Sequence, residues 1–130
     1  FFLTHAGLNH FVPDKPFDEY KLTDYLFGRS VLEQEFYSDK YLVYGHTPTQ
    51  ILHKQLGKTP SNDIIFYKSQ IAIDCGCGFG GPLGCLCLDT MECFYFWIWL
   101  ERGNIMSYIK EKPQNVWFML SEIFEHSEPA

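Results

Sequence analysis

Short apolar runs broken by glycine, proline and charged clusters dominate the chain, and most have strand lengths rather than long-helix lengths. Phe1–Thr4 reads as a short buried strand that stops at His5-Ala6-Gly7. Residues 8–21, with Asn9, Pro13, Asp14 and Pro16, read as a loop. Thr23 or Asp24 is placed to cap a helix from Tyr25 to about Tyr37, with Leu26, Phe27, Val31, Leu32 and Phe36 near one face. Gly28 weakens that helix by about 1 kcal/mol relative to alanine. A second strand, Tyr41–Tyr44, again stops at a glycine and a histidine, in Gly45-His46-Thr47-Pro48. A loop over 53–63 leads to a hairpin of Ile64–Tyr67 and Ile71–Asp74 around Lys68-Ser69-Gln70. The glycine-rich stretch 76–82 demands an irregular turn. Leu83–Leu88 and Cys93–Trp99 predict another antiparallel pair, turning at Asp89–Glu92. The tail from about Gln114 to His126 has helical spacing, with Val116, Phe118, Leu120, Ile123 and Phe124 mostly inward. Single strands with a helix between them, then hairpins, predict a mixed α/β layered domain without internal repeats.

Composition narrows the class. A chain of 130 residues suits one domain or part of one. With 46% hydrophobic and 18% aromatic residues it can bury a core. Ten basic against 16 acidic side chains give a net charge of −6, which argues against nucleic acid or an anionic membrane surface as partner. The longest apolar run, Phe94–Leu100, falls well short of the roughly 20 residues that span a bilayer. The opening Phe1-Phe2-Leu3-Thr4 has neither Met nor a basic leader pattern and reads as a strand entered from polypeptide upstream. Part of a larger domain is therefore expected.

Cys75, Cys77, Cys85, Cys87 and Cys93 fall within nineteen residues. Two C-x-C pairs bring a zinc site to mind, but on a strand such a pair aims both sulfurs at one face, about 7 Å apart. Small, buried, apolar side chains are the reading that spacing favours. An odd, clustered set also suits a reducing compartment, and a cytoplasmic location is expected.

The chemistry-bearing pattern is the pair of histidines, each at the carboxyl end of a short apolar strand and each near glycine. Strand ends of this kind present ligand-binding side chains in α/β sheets. Neutral imidazole suits manganese, iron and zinc, so neighbouring parallel strands would aim His5 and His46 at one ion. The plainer reading is two histidines satisfied by local hydrogen bonds.

Phe2-Leu3-Thr4-His5-Ala6-Gly7 and Val43-Tyr44-Gly45-His46-Thr47-Pro48 resemble the last two metal motifs of the calcineurin-like metallophosphoesterases, of the bacterial serine/threonine phosphoprotein phosphatase type. Ile73-Asp74-Cys75-Gly76, the glycine-rich turn and Leu83–Leu88 follow in the order those proteins show. The histidines are 41 positions apart, and the resemblance covers about residues 1–97. It implies the C-terminal portion of a layered α/β/β/α sandwich, a partial domain over 1–100 and a helical tail of the same domain over 101–130.

The resemblance further implies that His5 and His46 ligate one ion of a centre of two divalent metals, manganese first, with iron or zinc as alternatives. Leu26-Phe27-Gly28-Arg29 matches the segment that places a phosphate-gripping arginine, and a guanidinium fork suits two phosphate oxygens. Arg29 otherwise reads as a surface partner of Glu33. Asp74 reads as an acceptor for a metal-bound imidazole or as an ordinary strand-end carboxylate. His10 reads as a solvated loop residue, and neither His53 nor His126 lies in a motif. Asp-x-His, Gly-Asp-x-x-Asp-Arg-Gly and Gly-Asn-His-Glu, the family's first three motifs, are absent from these residues. The site would have to be completed from outside them, and the segment alone is expected to be inactive. The implied substrate is a phosphorylated protein or other phosphate ester. Hydrolysis of dinucleoside polyphosphates stays open, as does a non-catalytic interaction domain docking through Trp97, Trp99 and Trp117.

Overall fold

The computed structural model describes residues 1–28, 32–101 and 104–109, with 98–101 and 104–109 described by their backbone alone. Four strands, β1 (Phe2–Leu3), β2 (Leu42–Tyr44), β3 (Ile65–Tyr67) and β4 (Gln70–Ala72), form one sheet in the order β1-β2-β4-β3. β1, β2 and β4 run parallel, with Leu3 opposite Val43 and Val43 opposite Ile71, while β3 pairs antiparallel with β4 as the expected hairpin. Strands β5 (Leu83–Leu86), β6 (Cys93–Glu101) and β7 (Asn104–Ile109) make a separate antiparallel sheet. The chain is thus mixed α/β, with one mixed sheet and one small antiparallel sheet.

Both faces of β2 are covered, as a parallel strand requires. Leu42 and Tyr44 face a core with Leu8, Tyr20, Leu32, Phe36 and Leu52. Val43 faces the other way, against Ile71, Ile64 and Cys75, with Leu86, Cys93 and Tyr95 of the second sheet packed on it. The Tyr95 hydroxyl accepts the Ile64 amide at 3.0 Å and ties the two sheets together.

The expected helix over 25–37 is replaced by α1 (Leu22–Leu26), which starts and stops earlier. Its N-cap is Lys21, whose amide donates to the Asp24 carboxylate at 3.0 Å. Tertiary bonds end it. The Asp24 and Tyr25 carbonyls, which a continuing helix would offer to residues 28 and 29, accept instead from Asn9 at 3.0 Å and Ala6 at 2.9 Å. Further on, the Leu32 carbonyl accepts from the Gln70 side chain at 3.0 Å, and the Phe36 amide donates to the Ser69 hydroxyl at 3.3 Å. Those two groups would have bonded each other in a helix.

Helix α2 (Thr49–Gln55) overlaps the loop expected over 53–63. Pro48 stands at its N-cap and Leu52 is buried beneath it. Strand β7 occupies part of the segment expected as a helical tail, and the helix expected over 114–126 lies outside the described residues. Among the described residues no helix is long and apolar enough to cross a membrane.

A candidate metal-binding edge

Because β1, β2 and β4 are parallel neighbours, their carboxyl ends lie along one edge. His5, His46 and Asp74 follow those three ends. Main-chain pairing continues past each strand: Thr4 donates to the Val43 carbonyl at 3.0 Å, Gly45 to His5 at 2.9 Å and Ile73 to Tyr44 at 2.8 Å. The two imidazoles meet at that edge. His5 Nε2 and His46 Nδ1 are 3.1 Å apart, and both residues are exposed. A bond at that distance requires one ring to donate an N–H to the lone pair of the other, so at least one of the two is neutral.

The sharp turn after β2 is made by the histidine rather than by its glycine. His46 has φ +67°, in the left-handed region, and Thr47 N–H closes the turn onto the Gly45 carbonyl at 2.8 Å. A Cβ on Gly45 would meet Asp74 Cβ and the His5 carbonyl at an ordinary 3.7 Å. Non-glycine residues rarely adopt this backbone, and where they do the cost is offset by the surroundings.

Two nitrogens bound to one ion at about 2.0–2.1 Å stand about 2.8–3.4 Å apart for angles between right and tetrahedral. The observed 3.1 Å falls within that span, so the separation, taken alone, is compatible with two positions on one ion. Among the described residues no group of three or more His, Cys, Asp or Glu is placed to hold a metal. Two imidazoles leave an ion mostly coordinated by water, so the fit is that of half a site.

Asp74 has a local task. Its carboxylate accepts the Gly76 amide at 3.0 Å, and its carbonyl accepts the Thr49 amide at 2.7 Å. It opens the glycine-rich turn, in which Gly76 and Gly80, at φ +76° and +82°, flank a 3₁₀ turn over Cys77–Phe79. Arg29 lies outside the described residues, as do His126 and Trp117. His53 is on α2, with neither ring nitrogen hydrogen-bonded among the described residues. Trp97 is half-buried on β6.

The cysteines are free thiols, with Cys75 buried and the other four half-buried. Burial pushes the Cys75 thiol up to about 12 and raises Cys85 and Cys93 as well. Thiols so raised resist becoming the thiolates that zinc needs. Cys87 differs: the Thr90 hydroxyl, then the Thr90 and Asp89 amides, hydrogen-bond its sulfur and lower it.

His10 is the histidine whose setting the loop assignment did not anticipate. Its Nδ1 lies 3.0 Å from Asp24 Oδ1, with Asp24 only 12% exposed in its side chain and His10 83% exposed. The His10 hydrogen bond holds the Asp24 carboxyl below its usual range, the Lys21 amide acting in the same direction. An aspartate three residues after a helix N-cap was a legible signal for the carboxylate's position; its pairing with His10 was not.

A 470 Å³ cavity opens elsewhere, at the amino edge of the first sheet, where Tyr37, Lys40, Tyr41, Lys68 and Ser69 line it. The histidine pair has no part in it. No family model, curated protein or solved structure matches the chain.

Proposed function

We propose that the chain is the C-terminal portion of a calcineurin-like metallophosphoesterase sandwich and takes part in metal-dependent hydrolysis of phosphoserine and phosphothreonine in proteins. The observation that carries this reading is the meeting of His5 Nε2 and His46 Nδ1 at 3.1 Å across 41 positions, on the carboxyl edge of a parallel sheet. A non-catalytic reading would be favoured by histidines held apart, and these are not. Two exposed imidazoles on an open edge also suit a protein-borne phosphate better than a small dinucleotide, which pockets usually enclose.

In this function His5 and His46 hold one divalent ion through the two facing nitrogens. The native centre has two such ions, manganese foremost, and its remaining ligands come from residues outside these 130. The ions, when bound, supply an activated water and neutralise charge on the phosphoryl oxygens. Arg29 binds the phosphate through its guanidinium fork. The main-chain bond from the Gly45 amide to the His5 carbonyl fixes the backbone that carries the two imidazoles.

The test is His46→Ala in the full-length protein that contains this segment. Manganese-dependent turnover of p-nitrophenyl phosphate and of a phosphoserine peptide should be lost, with a lower metal content. Unchanged turnover removes His46 from the site. Arg29→Ala should raise KM or lower kcat with metal content intact; loss of metal in that variant would assign Arg29 a structural role.

A further inference from the structure

We propose that the cavity at the amino edge of the first sheet binds a small organic oxyanion, a carboxylate or phosphoryl group carried on an apolar body. The site is separate from the histidine edge and does not depend on the phosphoesterase reading. Its volume of 470 Å³ is in the range of small-molecule sites. One wall is the segment 35–41, and the other is the turn between β3 and β4 at Lys68 and Ser69.

The net charge of −6 is an average that hides what this hollow presents. Four of its lining side chains are charged, and they differ in enclosure. Lys40 and Lys68 have side chains 30% and 37% exposed, whereas those of their partners Asp39 and Glu35 are 69% and 78% exposed. The ammonium groups are thus the enclosed charges and the carboxylates the solvated ones. The pairs stand 3.1 Å apart for Lys40 with Asp39 and 3.5 Å for Lys68 with Glu35. Ion pairs with one partner in water contribute little, so an entering oxyanion can replace those carboxylates while they turn to solvent.

Both lysines are already positioned. Lys68 Nζ donates to the Glu33 carbonyl at 2.9 Å. Beside it, Ser69 accepts the Phe36 amide at its hydroxyl and the Leu42 amide at its carbonyl, at 3.3 and 2.8 Å. Lys40 Nζ stands 4.8 Å from the centre of the Tyr37 ring and 5.8 Å from that of Phe17. Side chains ordered in advance cost a ligand little to hold. An ammonium has three N–H donors, so each keeps one for an oxyanion after these contacts. Among the described residues, the amides from Tyr37 to Lys40 donate to no acceptor, which adds donors along the same wall. Tyr37 and the exposed Tyr41 line the hollow too, and their rings suit an apolar or aromatic body. Two surface ion pairs tying the hairpin to 35–41 would account for Glu35 and Asp39, but not for the hollow between those walls.

The experiment titrates the full-length protein with benzoate, with phenylphosphonate and with uncharged benzamide, followed through backbone amide resonances. Both anions should shift the amides of residues 37–41 and of Ser69 with millimolar affinity, and benzamide should not. Equal shifts with benzamide, shifts confined to the His5–His46 edge, or no shifts with either anion overturn the proposal. Lys40→Gln and Lys68→Gln should each weaken benzoate binding about tenfold. Glu35→Gln combined with Asp39→Asn should instead tighten it about threefold, because the competing carboxylates are gone. Collapse of the cavity would weaken binding in every variant. Weaker or unchanged binding in the carboxylate variant, or unchanged binding in the lysine variants, therefore overturns the assignment. Lys68 also holds the Glu33 carbonyl, so Lys40→Gln keeps the test decisive if Lys68→Gln fails to fold.

Discussion

The His5 carbonyl accepts the Gly45 amide at 2.9 Å, so main-chain register places the two imidazoles together. On one side of that bond His46 must turn back through φ +67° to bring its ring to His5.

The turn separates stability from function. His46→Gly should be more stable than His46→Ala by roughly 1 kcal/mol, since only the alanine keeps a Cβ in the left-handed region. Under the proposed metal role, both variants should lose metal in the full-length protein. Urea melts read the first effect and metal analysis the second. Equal stability of the two variants would mean the turn relaxes once the ring is gone.

Gly28→Ala should destabilise by about 1–3 kcal/mol, although alanine is the better helix former by about 1. The new methyl would stand 2.7 Å from the Asp24 carbonyl and 3.1 Å from that of Ala6, both backbone atoms. Denaturant unfolding decides the sign. A stabilised variant would show that the loop from His5 to His10 yields without cost.

Alkali should unfold the protein through the contact between its sheets. The Cys75 thiol is raised from 9.0 to about 12 by burial, and the Tyr95 hydroxyl from 10.0 to about 12. Groups raised in the folded state lend stability that is present below their unfolded values and is lost as pH rises through the folded ones. Melting temperature should therefore fall from pH 9 towards 12. In Cys75→Ala that decline should be shallower, with Cys85, Cys93 and Tyr95 left to carry it. An unchanged profile would place the cause elsewhere.

Acid acts on Asp24 in the opposite sense. Its carboxyl is lowered below 3.8, chiefly by the His10 hydrogen bond, so its contribution is present above that value and lost as pH falls through the lower folded one. In Asp24→Asn the melting temperature at neutral pH should drop, and the remaining decline below pH 4 should be shallower. Parallel profiles for the two proteins would remove Asp24 from the acid response.

Where burial follows from local alternation, the sequence was sufficient. The strands around Leu42–Tyr44, the Ile65–Ala72 hairpin and the β5–β6 pair all lie where apolar runs stop at glycine or polar turns. The helix after Thr23 ends earlier than its periodicity implies because Ala6 and Asn9, fifteen or more positions away, take its last carbonyls. Helix α2 follows Pro48, a start signal legible in the sequence, and its last turn runs into the segment expected as loop over 53–63.

Residue types and short periods thus determined, on their own, which stretches become strands, that the chain is mixed α/β, and that His5 and His46 sit at strand ends. Only the tertiary structure decided that those ends are adjacent and parallel, that the rings meet at 3.1 Å, and that His10 belongs with Asp24. The reason is physical. Alternation reports which face of a segment is buried, whereas the partner of a backbone amide or an imidazole is chosen by chain crossings that no local window contains.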